Sequence, residues 1–338
     1  MTNPSILTII LNYRTAEMTV RAAEAALREM ADLPGEVLVI DNGSGDGSYD
    51  VIHKEAKARG WVDSGQFRLL QSPRNGGFGA GMNFGIKAGL SDGTAPDFYY
   101  LLNSDAFVEP DAIRLLRDFL QTNTKAGMVG SYVCGVDDTP HATAFRFPSI
   151  AGEFEGAART GVISRLLRKS IVALEIPTNE IQVDWTAGAS LMIRRQLIED
   201  IGGFDETFFL YYEETDLCRR AAAAGWRTHY LPSSKVRHVG SASTGMKEWA
   251  RAPSYWFDSR QHYFAKNHGG LYAATATLAL VAGGLIWRLR RLVQNKPRTD
   301  PPHFLRDLIN YSLRALIKPG RQSRPDPKLT AVPPEELK

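Results

Sequence analysis

The first 135 residues switch repeatedly between two periodicities, and that alternation constrains the fold more than any other feature of the chain. "SILTIIL" is an unbroken apolar, β-branched run, and "AEMTVRAAEAALREM" after it has helical spacing. "EVLVI" is a second short apolar run, followed by "DNGSGDGSYDVIHKEAKARG", a turn cluster leading into a helix. "FRLLQ" precedes a Gly-rich loop and a helix to about Leu90, and "DFYYLLN" precedes "PDAIRLLRDFL", with Pro110 near a helix start. "AGMVGSYV" reads as a fifth strand. Short apolar strands without polar alternation are buried on both faces, so the pattern predicts an α/β fold with a mostly parallel sheet covered by helices. Such sheets bind ligands at the carboxyl ends of their strands. The polar clusters fall there: Asn12 after the first strand, Asp41 to Asp46 after the second, Asn103 to Asp105 after the fourth.

Beyond this region the pattern weakens. Residues 136–180 are irregular and read as an insertion, and strand and helix signals resume from Val183 to about Asn267. "LYAATATLALVAGGLIW", Leu271 to Trp287, is 17 residues without a charge, near the lower limit for spanning a bilayer. From Arg288 to Arg324 there are ten Lys or Arg against two acids, Asp300 and Asp307. "FLRDLINYSLRALIK" carries Leu305, Leu308, Ile309 and Leu316 at helical spacing, with Arg306, Arg314 and Lys318 elsewhere around the helix. Two helices packed on the domain would fit, but an apolar face with basic flanks tips the expectation towards a membrane-surface segment over 271–318. Residues 319–338 are Pro-rich and polar, and are expected to be disordered.

Composition excludes several classes. A net charge of +3 on 338 residues gives no reason to expect nucleic acid as a partner, and 43% hydrophobic with 23% charged residues is ordinary globular composition. Cys134 and Cys218 are too few for a disulfide framework, which points to a reducing compartment. "MTNPSILTIILNY" lacks a basic leader, so no cleaved signal peptide is expected.

Four motifs carry chemistry. In "VIDNGSGDGS" Asp41 follows a buried strand and either starts an Asx turn or accepts a hydrogen bond from a base or sugar. "PRNGGFGAGMNFGIKAG" opens a helix and would let backbone N–H groups approach phosphate, or would serve close helix packing. It is not G-x-G-x-x-G, because Gly79 and Gly81 are followed by Phe84 at the last place, and it is not a P-loop. In "LLNSDAF" Asp105 is either a cap or, with Asn103, a ligand for an oxygen-preferring ion such as Mg²⁺ or Mn²⁺. In "GGFDETFFLYYEETDLCRRAAAAGW" Glu213, Glu214 and Asp216 begin a helix after an aromatic run able to raise a carboxylate's pKa. Acids in a first turn also suit the helix dipole, and Glu214 and Asp216, two apart, point in different directions. His238 in "KVRHVGSAS" competes on sequence alone with His229, His262 and His268.

In this order, "ILNYR", "VIDNGSGDGS", "NGGFGAGMNFG", "LLNSDA", "GASLMIRR", "GGFDETFFLYYEETDLCRR" and "HVGSAS" resemble family-2 glycosyltransferases, inverting enzymes of the GT-A fold, and most closely rhamnosyltransferase-like members that build surface polysaccharide. The resemblance covers roughly 6–267. It implies a GT-A domain over 1–268, with a nucleotide-binding half at 1–135 and an acceptor and catalytic half at 181–268, followed by a helical, membrane-associated extension at 269–318. Asp41 would contact the nucleotide base, with Asn12 and Tyr13 nearby. Arg74, Asn75, Phe78 and Asn83 would line the donor pocket with Asn103 and Ser104. The family's Asp-x-Asp falls on Asn103-Ser104-Asp105, so one carboxylate is missing, and His238 would complete the metal shell with Asp105. The family's Glu-Asp pair falls on Glu213-Glu214, which makes Glu214 the general base, one methylene longer than usual. Glu213, Asp216, Trp185 and Arg260 would meet the acceptor or the diphosphate. The implied donor is a dTDP- or UDP-linked sugar, with dTDP-rhamnose preferred, and the acceptor a saccharide or lipid-linked saccharide. The implied place of work is the cytoplasmic face of the inner membrane. A dinucleotide-dependent dehydrogenase would need a phosphate fingerprint after the first strand, where "ILNYRTAEM" has no Gly.

Overall fold

The structure, a computed structural model, describes residues 3–240, 250–298 and 300–317. Of the expected features, residues 319–338, Lys318 and Ser241 to Ser243 lie outside the described residues, and for Leu316 only the helical backbone is described. The chain divides into two units. The first comprises 3–145, 175–209 and 213–240; the second comprises 146–174, 210–212 and the described residues from 250 onward.

In the first unit the apolar runs become the expected strands: β1 (Ile6–Asn12), β2 (Gly35–Asp41), β3 (Phe67–Gln71) and β4 (Phe98–Asn103). Three helices alternate with them: α1 (Ala16–Met30), α2 (Ser48–Ala58) and α3 (Phe78–Ala88). The order β3-β2-β1-β4 is parallel throughout. The register then fixes the site edge. Asn12 pairs with Asp41, and Leu11 with Asn103, so the three polar strand ends line up along one carboxyl edge.

The rest of the sheet is mixed. It contains β5 (Ala106–Val108), β6 (Ala126–Cys134), with α4 (Ala112–Thr122) between them, and the short β7 (Pro140–His141), whereas β8 (Ala144–Phe145) belongs to a separate two-stranded sheet. In the second unit α5 (Ile150–Ala158) and α6 (Gly161–Leu166) follow. The first unit resumes with β9 (Ile181–Val183), β10 (Trp185–Thr186), β11 (Ser190–Arg194), α7 (Arg195–Ile201), α8 (Glu213–Ala223) and β12 (Arg227–His238). β11 is antiparallel to both β4 and β6, whereas β6 and β12 are parallel. Periodicity alone does not reveal an antiparallel strand inserted between two such neighbours, because a strand buried on both faces reads the same in either direction. A chain of buried hydroxyls ties this half together: Tyr100 Oη to Ser190 Oγ at 2.8 Å, Ser190 to Ser131 at 2.7 Å, and Ser131 to Ser234 at 2.8 Å. Each satisfies the next, so four polar side chains sit in the core without loss.

The second unit is helical, with α9 (Ser254–His268), α10 (Gly270–Gln294) and α11 (Phe304–Ile317) joining α5 and α6. Residues 146–174 therefore group with the C-terminal helices, and α9 joins them, so this compact unit takes in more than the 269–318 extension expected. α10 packs on α5 so closely that a Cβ on Gly283 would lie 2.5 Å from Phe154 O and 2.9 Å from Ala157 Cβ. By length and composition α10 is the one described helix able to cross a membrane.

Candidate active site

Asp41 is buried at the end of β2 and shares its carboxylate among Asn12 Nδ2 (2.8 Å), the Ser44 N–H (3.3 Å) and Gln71 Nε2 (3.2 Å). Asn12 is in turn held by Thr19 Oγ1, which donates to its Oδ1 at 2.8 Å. The two are one network, as their register requires, and Ser44, Thr19 and Gln71 are members that the motif reading did not single out. Tyr13 lies under the Arg14 guanidinium, 5.2 Å from the ring centre. Asn42 links this turn to the Gly-rich loop by donating to Asn75 Oδ1 and to Gly77 O, both at 3.1 Å.

The loop itself has structural reasons for its glycines. Gly77 has φ +90°, and a Cβ there would sit 1.9 Å from Phe209 O, so only glycine fits. A Cβ on Gly81 would lie 2.4 Å from Leu11 Cδ1, which is the close-packing reading. Arg74 is exposed and makes no ion pair among the described residues. Asn83 is committed to the protein: its Nδ2 donates to Phe204 O (2.9 Å) and Glu206 Oε1 (3.0 Å), and its Oδ1 accepts the Phe204 N–H (2.8 Å).

At the end of β4, β5 pairs antiparallel with β12, and the register sets His238 opposite Ala106. That places the imidazole against the neighbouring Asp105. His238 Nε2 is 3.0 Å from Asp105 Oδ1 and 3.2 Å from the Asn103 amide nitrogen. Asp105 is buried, its Oδ2 accepts the Gly240 N–H at 3.1 Å, and Ser104 is buried beside it against Thr15 Oγ1. The two contacts of His238 Nε2 conflict while the Asn103 amide nitrogen faces the ring. One ring nitrogen cannot donate to a carboxylate and accept from an amide N–H at once. Turning the amide lets an Nε2–H donate to both oxygens, and in the other tautomer the imidazole, the carboxylate and the turned amide oxygen would all offer lone pairs to a divalent ion. The donor set fits, and it is sparse: no group of three His, Cys, Asp or Glu gathers anywhere among the described residues.

Glu213 and Glu214 open α8, and the two residues before them, Tyr211 and Tyr212, have φ of +70° and +69°. Left-handed non-glycine residues cost roughly 1–2 kcal/mol each, so the sharp entry into α8 is held by its surroundings. Burial pushes the Glu213 carboxyl well above its ordinary 4.5, and the neighbouring Glu214 adds to the rise. Burial also raises Glu214, opposed by its own N–H and by that of Gly188. Glu213 Oε2 and Glu214 Oε2 have no hydrogen-bond partner. A Cβ on Gly188 would meet the Phe78 ring at 3.2 Å and Glu214 Oε1 at 3.8 Å. Gly188 thus brings a backbone donor and an aromatic wall to Glu214; its only sequence signal was its place at the head of "GASLMIRR".

Other expected residues are engaged elsewhere. Asp216 is fully buried and accepts Arg220 Nε at 2.9 Å, while Arg220 also holds Ile201 O and Gly203 O. Trp185 stacks on Phe145 at 4.1 Å. Arg260, within the helical unit, is buried with its guanidinium on Glu153 Oε2 (2.7 Å) and Thr277 Oγ1 (3.1 Å).

A sequence model described as glycosyl transferase family 2 matches residues 5–201. An N-acetylglucosaminyl-diphospho-decaprenol L-rhamnosyltransferase of Mycobacterium tuberculosis is 28% identical over 281 residues, covering 81% of this chain and 88% of that protein. Rhamnosyltransferase WbbL of Escherichia coli is 35% identical over 72 residues, 21% of this chain and 27% of that protein. Among solved structures, a mannosyltransferase of Pyrobaculum calidifontis in complex with GDP-Man and Mn²⁺ superposes with a TM-score of 0.51 at 15% identity, covering 94% of this chain and 87% of that one. GalNAc-T7 with UDP, GalNAc and Mn²⁺ gives a TM-score of 0.55 at 11% identity, covering 91% of this chain and 57% of that one. These likenesses establish the GT-A fold.

Proposed function

The chain belongs to glycosyl transferase family 2 and is a rhamnosyltransferase-like glycosyltransferase, and from that premise we propose that it transfers rhamnose from dTDP-rhamnose to a hydroxyl of a lipid-linked saccharide, with inversion. The observation that carries this reading is Glu214: a carboxylate with an unpartnered oxygen and a raised pKa, set against Gly188 and Phe78 at the start of α8. A base is most useful when its pKa approaches the working pH, and burial moves Glu214 in that direction. In the proposed step Glu214 takes the proton of the acceptor hydroxyl as that oxygen attacks the anomeric carbon. The bond to the nucleoside diphosphate breaks, and its electron pair leaves with the diphosphate oxygen. Asp105, His238 and Asn103 would hold a Mg²⁺ or Mn²⁺ ion, which supplies positive charge for the leaving diphosphate. Asp41, with Asn12 and Tyr13, would hold the nucleoside, and the exposed Arg74 with Asn75 and Phe78 would flank the donor. Cys134 and Cys218, both free and buried, agree with a reducing, cytoplasmic place of work.

The relative from M. tuberculosis is named for an N-acetylglucosaminyl-diphospho-lipid acceptor, which makes that lipid class the first acceptor to try. Purified protein is incubated with it, with Mn²⁺ or Mg²⁺, and with a panel of dTDP- and UDP-sugars. The expected result is transfer from dTDP-rhamnose that stops with EDTA and falls about 10²–10⁴-fold in Glu214→Gln, while nucleotide affinity stays within about threefold of wild type. Turnover of Glu214→Gln within tenfold of wild type removes Glu214 from the base role. Transfer from UDP-sugars alone overturns the choice of donor.

A further inference from the structure

The helical unit carries two features that the transfer reaction does not use. The first is an exposed leucine stripe on α10. Leu271, Leu278, Leu285 and Leu292 recur every seven residues with Leu289 among them, and they are between 57% and 85% exposed. At 100° per residue they occupy about a 60° sector of the helix. The opposite side carries the buried Ala273, Ala276, Thr277, Gly283, Gly284 and Trp287. The second is a cavity of about 350 Å³ at the end of the same helix, lined by Trp287, Arg288, Arg291, Arg298, Asp300, His303 and Arg306. Four arginines face one carboxylate there, and that carboxylate is already held by Arg159 at 2.8 Å. Arg288 and Arg291 have no ion-pair partner among the described residues. Uncompensated guanidinium groups around a cavity fit a phosphate, which they can grip through paired N–H donors.

We propose that α10 lies in the plane of an anionic phospholipid surface, with its leucine stripe in the acyl boundary and a lipid phosphate in the arginine cavity. The position of Arg288 joins the two features: it stands one residue before Leu289 and lines the cavity. A spanning orientation is disfavoured by the other side of the helix, where Thr277 receives the buried Arg260 that pairs with Glu153. A charged pair against the body of a helix is costly at bilayer depth. A leucine seam between two copies is disfavoured by charge. α10 has no acid with which to pair Arg288, Arg290 and Arg291 across a coiled coil, and Thr275 and Ala282 occupy positions that a zipper fills with larger side chains. This proposal deepens the reading of a lipid-linked acceptor, but its test uses neither acceptor nor nucleotide-sugar, so its failure leaves the transfer reading untouched.

The test is sedimentation of the full chain with vesicles of phosphatidylcholine, and with vesicles containing about one part in three phosphatidylglycerol. Each basic side chain close to an anionic surface accounts for about a fivefold gain in binding. The Arg288→Gln/Arg291→Gln double variant should therefore lose about 25-fold on the anionic vesicles and little on the neutral ones. Leu278→Gln/Leu285→Gln should weaken binding to both while keeping the preference for anionic lipid. The leucine pair is exposed and the arginine pair half-buried at the cavity, and circular dichroism checks that the variants are folded. Wild-type protein that binds the two vesicle types equally, or neither, overturns the proposal. So does protection from thermal unfolding by inorganic phosphate without vesicle binding, which would mark a soluble ligand. A dimer that the leucine variant dissolves, again without vesicle binding, would assign the stripe to a second copy. Extraction only by detergent, and not by high salt, would mean that the helix spans.

Discussion

Asn83 gives the sharpest separation between a residue that meets a ligand and one that holds the fold. In the sequence it sits in the Gly-rich loop, where the family pattern has it lining the donor pocket. In the structure its amide clamps Phe204 from both sides, accepting its N–H at 2.8 Å and donating to its carbonyl at 2.9 Å. Both groups are buried, so Asn83→Ala strands a backbone donor and a backbone acceptor. Each stranded group costs about 1–3 kcal/mol, less where water enters the vacated space, and about 2–4 kcal/mol is the expected sum. The third bond, to the exposed Glu206, adds little. In a unit of roughly 200 residues that loss lowers Tm by roughly 5–15 °C. Asn83→Asp keeps an acceptor for the N–H but faces Glu206 with a second charge, so it should fall between wild type and Ala. Thermal unfolding followed by circular dichroism measures the shift, and donor KM on folded protein measures any ligand contact. A Tm within about 1 °C of wild type combined with a large rise in donor KM would refute the clamp and return Asn83 to the donor pocket.

Two further outcomes follow from buried charges. Glu213 holds its proton more tightly folded than unfolded, so it costs nothing below its ordinary 4.5, costs progressively more as pH rises towards the raised value, and levels off beyond it. Glu213→Gln should therefore match wild-type stability near pH 4 and exceed it at pH 8, by roughly 2–4 °C of Tm for each kcal/mol recovered; a difference that does not change with pH would contradict the burial argument. Arg260→Ala leaves Glu153 as an uncompensated, largely buried charge, a loss of about 3–5 kcal/mol. It should appear as a lowered unfolding transition with unchanged donor KM, and the reverse pattern would give Arg260 the diphosphate role read from sequence.

The parts of the fold that were legible are those where one short segment decides its own fate. Unbroken apolar runs gave β1 to β4, and with a parallel sheet the alignment of Asn12, Asp41 and Asn103 followed from where each run stops. The antiparallel β11 was not legible, since direction leaves no mark on a strand buried on both faces. The grouping of 146–174 with the C-terminal helices was not legible either. It rests on contacts such as Gly283 against Phe154, more than a hundred residues apart. Side-chain partners are hidden for the same reason. Asn83 finds its partner 121 residues away, and Arg260 finds Glu153 at a separation of 107. Neither distance has a local signature.

A different criterion sorts the candidates once the structure is known. Asn83, Asp216 and Arg260 all have polar atoms satisfied by the chain itself, and a satisfied buried group gains little by exchanging its partner for a ligand. Glu214 keeps an unpartnered oxygen, and Asn103 and Asp105 both meet Nε2 of His238. Buried polar groups left unmet cost free energy in the folded chain and persist where something else meets them. Among the candidate residues the unpartnered oxygens belong to Glu213 and Glu214 at the start of α8, while at the end of β4 Asp105 and Asn103 converge on one ring nitrogen of His238. A leaving diphosphate needs positive charge, and an attacking hydroxyl needs a base. These are the two places where the proposed reaction would set its positive charge and its base.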